Sequence, residues 1–305
     1  MKKKIINLEP KYFSDNAKKI LTKYFRYIEY SSSAGKVKNQ IKDADIIITR
    51  FKYKLDENLL FNSRKLKYII SATTGLDHID LDYTMRNNIR VLSLKNQFHF
   101  LKKIKSSSEH TWALLLSLLK NIPKSFDSVK KLNWDRYKFL NNNLYNKKIG
   151  IVGLGRNGRN IKKYAESFDM KILTYDKKDR KDKLHRIFKN CDVVVLTIEL
   201  NDITKRIINS ELLDLVKKNF YLINTSRAEI INQNHLIKKI KKNKNFYFAT
   251  DFLEFKDKSL ASSSKKLIKM TKSNQILITP HIAGASLESW NLCEEYLAKK
   301  IAKYA

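Results

Sequence analysis

The residues best placed for chemistry in this 305-residue sequence stand where apolar runs end. The run Leu222 to Asn224 leads into Thr225, Ser226 and Arg227; Phe246 to Thr250 leads into Asp251 and Glu254; Ile276 to Thr279 leads into Pro280 and His281, with Gly284 close behind. Earlier, Tyr68 to Ser71 leads into TTGLDHID, which contains Gly75. In an open α/β sheet, ligands bind beyond the carboxyl ends of the strands. An arginine, a carboxylate and a histidine meeting there beside a hydride carrier suit exchange between a carbonyl and an alcohol. The arginine would orient a 2-oxo acid, the histidine would give or take the hydroxyl proton, and the acid would tune the histidine. Taken singly, such an arginine is usually a surface ion pair and such a histidine a structural hydrogen bonder, so their joint position carries the reading.

The carrier is written into Lys148 to Asp176, KIGIVGLGRNGRNIKKYAESFDMKILTYD. A β-branched run precedes Gly153, Gly155 and Gly158, a helical segment follows, and a second apolar run ends at Asp176. This is the order of a dinucleotide-binding βαβ unit. Gly153 makes the turn, Gly155 admits the pyrophosphate, and Gly158 lets the helix approach the strand, while N–H groups at the helix start, around Arg156 and Asn157, hold phosphate. Asp176 stands where a carboxylate accepts the ribose hydroxyls of NAD and repels the extra phosphate of NADP, although Lys177 and Lys178 follow it. The chain has only seven glycines, well below the usual ~7%. The survivors are therefore expected where a Cβ or a negative φ cannot be accommodated.

Lys and Arg number 62 against 30 acids, a formal charge of +32. Such a balance invites a nucleic-acid or anionic-membrane partner. Here the lysines are spread along the whole chain with no basic tail or block, so a solvated surface and no specific nucleic-acid partner are expected. Cys191 and Cys293 are unclustered and imply neither a disulfide framework nor a zinc site. No stretch approaches ~18 apolar residues, and the N-terminus lacks a signal-peptide core, so a soluble cytoplasmic protein is expected.

The elements that must position these residues form two groups, each an α/β alternation. Strands are expected at Lys4 to Leu8, Tyr27 to Tyr30, Ala44 to Phe51, Leu66 to Ser71 and Ile89 to Leu92. After the dinucleotide unit they resume at Val193 to Thr197, Phe220 to Asn224, Phe246 to Asp251 and Gln275 to Thr279. Ser106 to Asn121 reads as a connector helix ended before Pro123, and Leu287 to Tyr304 as a final amphipathic helix returning to the first domain.

At this point the chain resembles the D-isomer-specific 2-hydroxyacid dehydrogenases, whose members include 3-phosphoglycerate dehydrogenase. The resemblance spans nearly all residues and is carried by TTGLDHIDL, EHTWALLLSLLKNIP, VGLGRNGR, CDVVVLTIELNDITKRIIN, LINTSRAEII and TPHIAGAS. It implies two doubly wound parallel-sheet α/β domains: a Rossmann NAD-binding domain, 104–280, inserted in a flavodoxin-like substrate domain, 1–103 and 281–305. It further implies a homodimer formed through the NAD domain, with N–H groups around Thr74, Gly75 and Leu76 binding the substrate carboxylate. Arg227 matches the substrate-orienting arginine, His281 the proton donor and acceptor, and Asp251 the acid near the nicotinamide amide. Thr225 and Gly284 fall beside the cofactor.

Three departures stand out. Ala228 follows the arginine where glycine is usual. LTIEL replaces LHLPL, which puts Thr197 and Glu199 near the cofactor in place of His and Pro. Lys256 occupies the position of the catalytic glutamate, with Glu254 two residues earlier; Glu254 is taken as the substitute. Arg50 and Lys52, at the exit of the third strand, resemble phosphate-side cations of the 3-phosphoglycerate enzymes. The expected activity is NAD-dependent interconversion of a D-2-hydroxy acid and its 2-oxo acid, with 3-phosphoglycerate or a related small acid as substrate. The alternative is a catalytically impaired NAD-binding regulatory protein on the same fold, favoured by Lys256. His78 and His99 are expected to be structural or superficial.

Overall fold

Ile46–Thr49 and Val193–Leu196, IIIT and VVVL, are buried along their whole length, as strands covered on both faces must be. Each lies inside a parallel sheet. The structure, a computed structural model, describes residues 2–30, 34–256, 259–273 and 275–305, with the backbone alone for 34 and 35. It divides into two units, residues 1–104 with 285–305 and residues 105–284.

The first unit holds β1 (Lys4–Asn7), β2 (Arg26–Glu29), β3 (Ile46–Thr49), β4 (Tyr68–Ser71) and β5 (Arg90–Ser93). Their order is β2-β1-β3-β4-β5, all parallel, the flavodoxin-like winding. Alternation along the strands sorts the core. Ile5, Ile46, Ile48 and Ile70 meet Leu21 and Leu297 on one face, while Ile6, Ile47 and Ile69 meet Val37, Ile41 and Leu60 on the other. The C-terminal helix Leu287–Ile301 packs against Asp15–Tyr24 in this unit.

The second unit holds β6 (Lys148–Val152), β7 (Lys171–Tyr175), β8 (Val193–Leu196), β9 (Phe220–Asn224), β10 (Phe246–Thr250), a small hairpin of β11 (Phe255–Lys256) and β12 (Ser259–Leu260), and β13 (Ile276–Ile278). The main sheet runs β7-β6-β8-β9-β10-β13, all parallel. Winding reverses between β6 and β8, which places a ligand crevice beyond their carboxyl ends.

The connector helix is Ser106–Leu119. Asn121, at φ 56°, then turns the chain into a second helix, Ile122–Val129, with Pro123 in its first turn. The expected helix end at Pro123 is thus a helix start, a position that proline's fixed φ and missing N–H suit. The crossing back to the first unit comes after Gly284, because residues 281–283 are hydrogen-bonded to Asp251. Among the described residues no helix is long and apolar enough to cross a membrane.

Candidate active site

At the end of β6 the chain turns through Gly153 at φ 102°, a conformation open to glycine. Its N–H donates to the Tyr175 carbonyl at 2.7 Å, and its carbonyl accepts the Thr197 hydroxyl at 2.7 Å. A Cβ on Gly158 would run into that same carbonyl. Gly155 differs: nothing lies within 4 Å of where its Cβ would stand. It caps the helix Arg156–Ser167 without any side-chain cap, and the buried Oδ1 of Asn157 has no partner among the described residues. Open space, uncapped helix-start N–H groups and an unsatisfied polar atom together fit a pyrophosphate.

Asp176 follows β7, its Oδ1 accepting the Lys177 N–H at 2.9 Å and its own N–H donating to Asp179 Oδ2 at 2.8 Å. The Lys183 ammonium, together with the Asp176 N–H, holds the half-buried Asp179 carboxyl below its ordinary range. Two carboxylates at this strand end suit the ribose hydroxyls of NAD.

Beyond β9, Asn224 shapes the next turn, accepting the Ser226 N–H at 3.1 Å and donating to the Arg227 carbonyl at 2.9 Å. The Arg227 guanidinium then lies over the ring of Phe252, 4.8 Å from its centroid. The imidazole of His281 packs on the same ring, centroids 4.2 Å apart. Phe252 therefore unites the two residues read from the sequence as orienting cation and proton donor. Sequence reasoning passed over it, although an aromatic residue directly after a strand-end acid was a visible signal.

His281 itself is exposed and has φ 57°, a region histidine enters more often than most residues but still at a cost. Its N–H donates to the carbonyls of Asp251 and Thr279 at 3.1 and 3.0 Å. The Asp251 side chain is wholly buried. Its Oδ1 accepts the Ile282 N–H at 2.9 Å and the Thr279 hydroxyl at 2.5 Å, and its Oδ2 accepts the Ala283 N–H at 2.8 Å. Both oxygens are thus engaged in holding the His281 loop. Consecutive residues of the connector helix reach the same strand ends: His110 Nε2 lies 3.0 Å from Thr279 Oγ1, and Thr111 Oγ1 lies 2.6 Å from Thr225 Oγ1.

Glu254 Oε2 accepts from Ser263 Oγ at 3.3 Å, and its N–H donates to Ser264 Oγ at 2.9 Å. Lys256 is exposed in β11, where its carbonyl accepts from Ser259 Oγ at 3.0 Å. Gly284 is exposed, and a Cβ there would meet only Ser107 Oγ at 3.9 Å. Among the protein's own atoms, the rule that surviving glycines mark steric need therefore holds at Gly150, Gly153 and Gly158 and fails at Gly155 and Gly284.

In the first unit, Thr73 Oγ1 donates to the Gly75 carbonyl at 2.8 Å and lies 2.8 Å from Ser71 Oγ, which in turn lies 3.1 Å from the buried His78 Nε2. Among the described residues, the N–H groups of Thr74, Gly75 and Leu76 have no hydrogen-bond acceptor. Successive free N–H groups of this kind suit an anion.

Arg50 departs from its expected role as a substrate cation. Its guanidinium pairs with the buried carboxylate of Glu294, donates to the carbonyls of Glu9, Lys11 and Tyr12, and stacks 4.3 Å from the Trp290 centroid. Glu9, Arg50 and Glu294 line a small crevice between the ends of β1 and β3, a switch point of the first sheet. Lys52 is exposed, with its ammonium 5.1 Å from the Tyr53 ring.

Comparison with known proteins places these features. Residues 5–97 match the D-isomer specific 2-hydroxyacid dehydrogenase catalytic domain, and residues 112–283 the NAD binding domain of the same family. The chain is similar to D-3-phosphoglycerate dehydrogenase of Methanocaldococcus jannaschii, 29% identical over 275 residues, which are 87% of this chain and 50% of that one. It thus spans half the length of that relative. Glyoxylate reductase of Pyrococcus furiosus is 27% identical over 287 residues, 88% of this chain and 82% of the relative. Among solved structures, D-lactate dehydrogenase from Aquifex aeolicus, complexed with NAD and lactic acid, superposes with a TM-score of 0.81 at 28% identity, covering 99% of this chain and 95% of that one. Two family profiles matched in order across both units, with the glycine turn and the NAD-binding domain coinciding, establish that the chain belongs to the D-isomer specific 2-hydroxyacid dehydrogenases.

Proposed function

We propose that the chain is an NAD-dependent oxidoreductase that interconverts a D-2-hydroxy acid and its 2-oxo acid. The observation that carries this is the pairing of Arg227 and His281 on the ring of Phe252. A guanidinium there orients and polarises the carbonyl oxygen through charge-assisted hydrogen bonds. His281 Nδ1 or Nε2 delivers the proton to that oxygen in reduction and removes it in oxidation. When bound, the nicotinamide supplies or accepts the hydride. Glu254, two positions beyond Phe252, is the carboxylate assigned to support the imidazolium, in place of a glutamate at position 256. The N–H groups of Thr74, Gly75 and Leu76 offer donors for a substrate carboxylate.

Because Arg50 is committed to Glu294, a small unphosphorylated acid of the glyoxylate or hydroxypyruvate kind ranks ahead of 3-phosphohydroxypyruvate. A homodimer is supported by the segment 122–140, whose Ile122, Phe126, Val129, Leu132, Trp134, Tyr137 and Leu140 side chains are exposed; monomeric proteins seldom leave so large a contiguous apolar area in water.

The test is NADH oxidation with glyoxylate, hydroxypyruvate, 2-oxoglutarate and 3-phosphohydroxypyruvate, comparing wild type with His281→Ala and Glu254→Gln. Turnover on at least one acid is expected, falling about 10²- to 10⁴-fold in His281→Ala. Wild-type silence on every acid while NADH still binds would refute the assignment.

A further inference from the structure

His110 is a second histidine at this site, and its place in the hydrogen-bond network can be read from a proton count. Thr279 has one hydroxyl proton. With its oxygen 2.5 Å from Asp251 Oδ1, that proton goes to the carboxylate, which can only accept. The Thr279 oxygen must therefore accept from His110 Nε2, 3.0 Å away. Polarity runs one way, from His110 Nε2–H to the Thr279 hydroxyl to Asp251, and His110 Nε2 lies 3.6 Å from Oδ1 itself. Asp251 then gathers the N–H groups of Ile282 and Ala283 beneath the residue whose φ is 57°. The His110 side chain is largely buried, and Thr111 beside it is fastened to Thr225 at the strand end leading to Arg227.

We propose that His110 is a positioning residue that acts through Thr279 and Asp251 to hold the left-handed backbone of His281, and so the direction in which its imidazole is presented. The inference rests on the proposed oxidoreductase reading for its functional meaning, but its geometry stands apart from turnover. Removing the donor leaves Thr279 free to rotate its hydroxyl, loosening one of the ties on Asp251. The loop would then sample orientations in which His281 is misdirected.

The experiment uses the full chain with NADH bound, in the variants His110→Ala, His110→Gln, Thr279→Val and Thr279→Ser. Gln can place an N–H near the position of Nε2, and Ser keeps the hydroxyl; Ala and Val keep neither. Reduction of glyoxylate or hydroxypyruvate, whichever is turned over faster, should lose about ten- to a hundredfold in kcat in His110→Ala and Thr279→Val. KM for the acid and Kd for NADH should change by less than about threefold, since uniform binding is untouched. Thr279→Ser should restore most of the loss and His110→Gln part of it. In parallel, ¹³C-histidine labelling gives six resonances; the His281 Cε1–H line should shift and broaden in Thr279→Val and return in Thr279→Ser. An unmoved His281 line with unchanged kcat overturns the proposal. If wild type turns over no acid, the oxidoreductase reading falls and the His281 line alone decides this one. If His110→Ala unfolds, the nearly isosteric Thr279→Val carries the test.

Discussion

The imidazole of His281 rests against the phenyl ring of Phe252, centroids 4.2 Å apart and planes inclined by 48°. Phe252 also carries the Arg227 guanidinium, so one apolar side chain sets the spacing of two charged or titrating ones. Phe252→Ala is expected to lower kcat/KM about a hundredfold, the scale of an ångström-sized misplacement. Phe252→Tyr should retain most activity because the ring remains. Equal kcat/KM in wild type and the alanine variant would show that the ring is incidental.

The glycines of the dinucleotide turn separate steric from ligand-binding need. Gly158→Ala forces a Cβ against the Gly153 carbonyl and should destabilise the fold by about 1–3 kcal/mol, as overpacking does. Gly155→Ala meets nothing within 4 Å, and its thermal midpoint should stay near that of wild type. NADH affinity should nevertheless fall about tenfold, or 1.4 kcal/mol, because the methyl would occupy space left for the pyrophosphate. Thermal melts and NADH fluorescence titrations of both variants check the contrast, and a Gly155→Ala protein that binds NADH normally would disprove it.

Arg50 and Glu294 test the structural reading of the first-unit crevice. Their side chains retain 12% and 2% of their exposure, so removing either one leaves the other charge buried. Arg50→Ala is expected to cost about 3–5 kcal/mol without altering the preference among 2-oxo acids. Burial pushes the Glu294 carboxyl above its ordinary 4.5, with Arg50 the chief opposing influence. The native state thus holds this proton more tightly than the unfolded chain does. Its contribution to stability is full below about 4.5 and is lost as pH rises through the raised folded value. Urea melts of wild type and Glu294→Gln should show the wild-type advantage shrinking with pH across that window; an advantage that grows with pH would contradict the assignment.

What could be read in advance follows from the range of the forces involved. Uninterrupted β-branched runs such as VVVL mark buried strands locally, so both sheets and the glycine turn were legible. Strand limits were less so: Arg50 and Phe51 follow β3 without joining its ladder, their N–H groups turning to the Glu9 carboxylate, because hydrogen bonding and not hydropathy ends a strand. The roles of Arg50 and Asp251 were hidden for a different reason. Arg50 meets a carboxylate 244 positions away, and Asp251 turns its oxygens to N–H groups 31 and 32 positions on. Neither spacing has a period that sequence inspection can detect. The left-handed φ of His281 is likewise accompanied by a bond from its N–H to the Asp251 carbonyl, 30 positions back.

The exposed segment after the connector helix yields the last prediction. Ile122, Phe126 and Val129 recur at helical spacing on a helix that buries none of its residues, and Leu132 and Trp134 are 94% and 90% exposed. Burying a large aromatic side chain such as Trp134 removes about 150–250 Å² from water, and the several apolar residues here approach the ~800 Å² per partner of a standard interface. Wild type is therefore expected to sediment at twice the chain mass. Trp134→Asp and Phe126→Asp, which place charges that must be desolvated at the contact, should shift it to the monomer at micromolar concentration, while the isolated NADH site keeps its affinity within about threefold. Monomeric wild type, or a Trp134→Asp protein that still dimerises, would move the interface elsewhere.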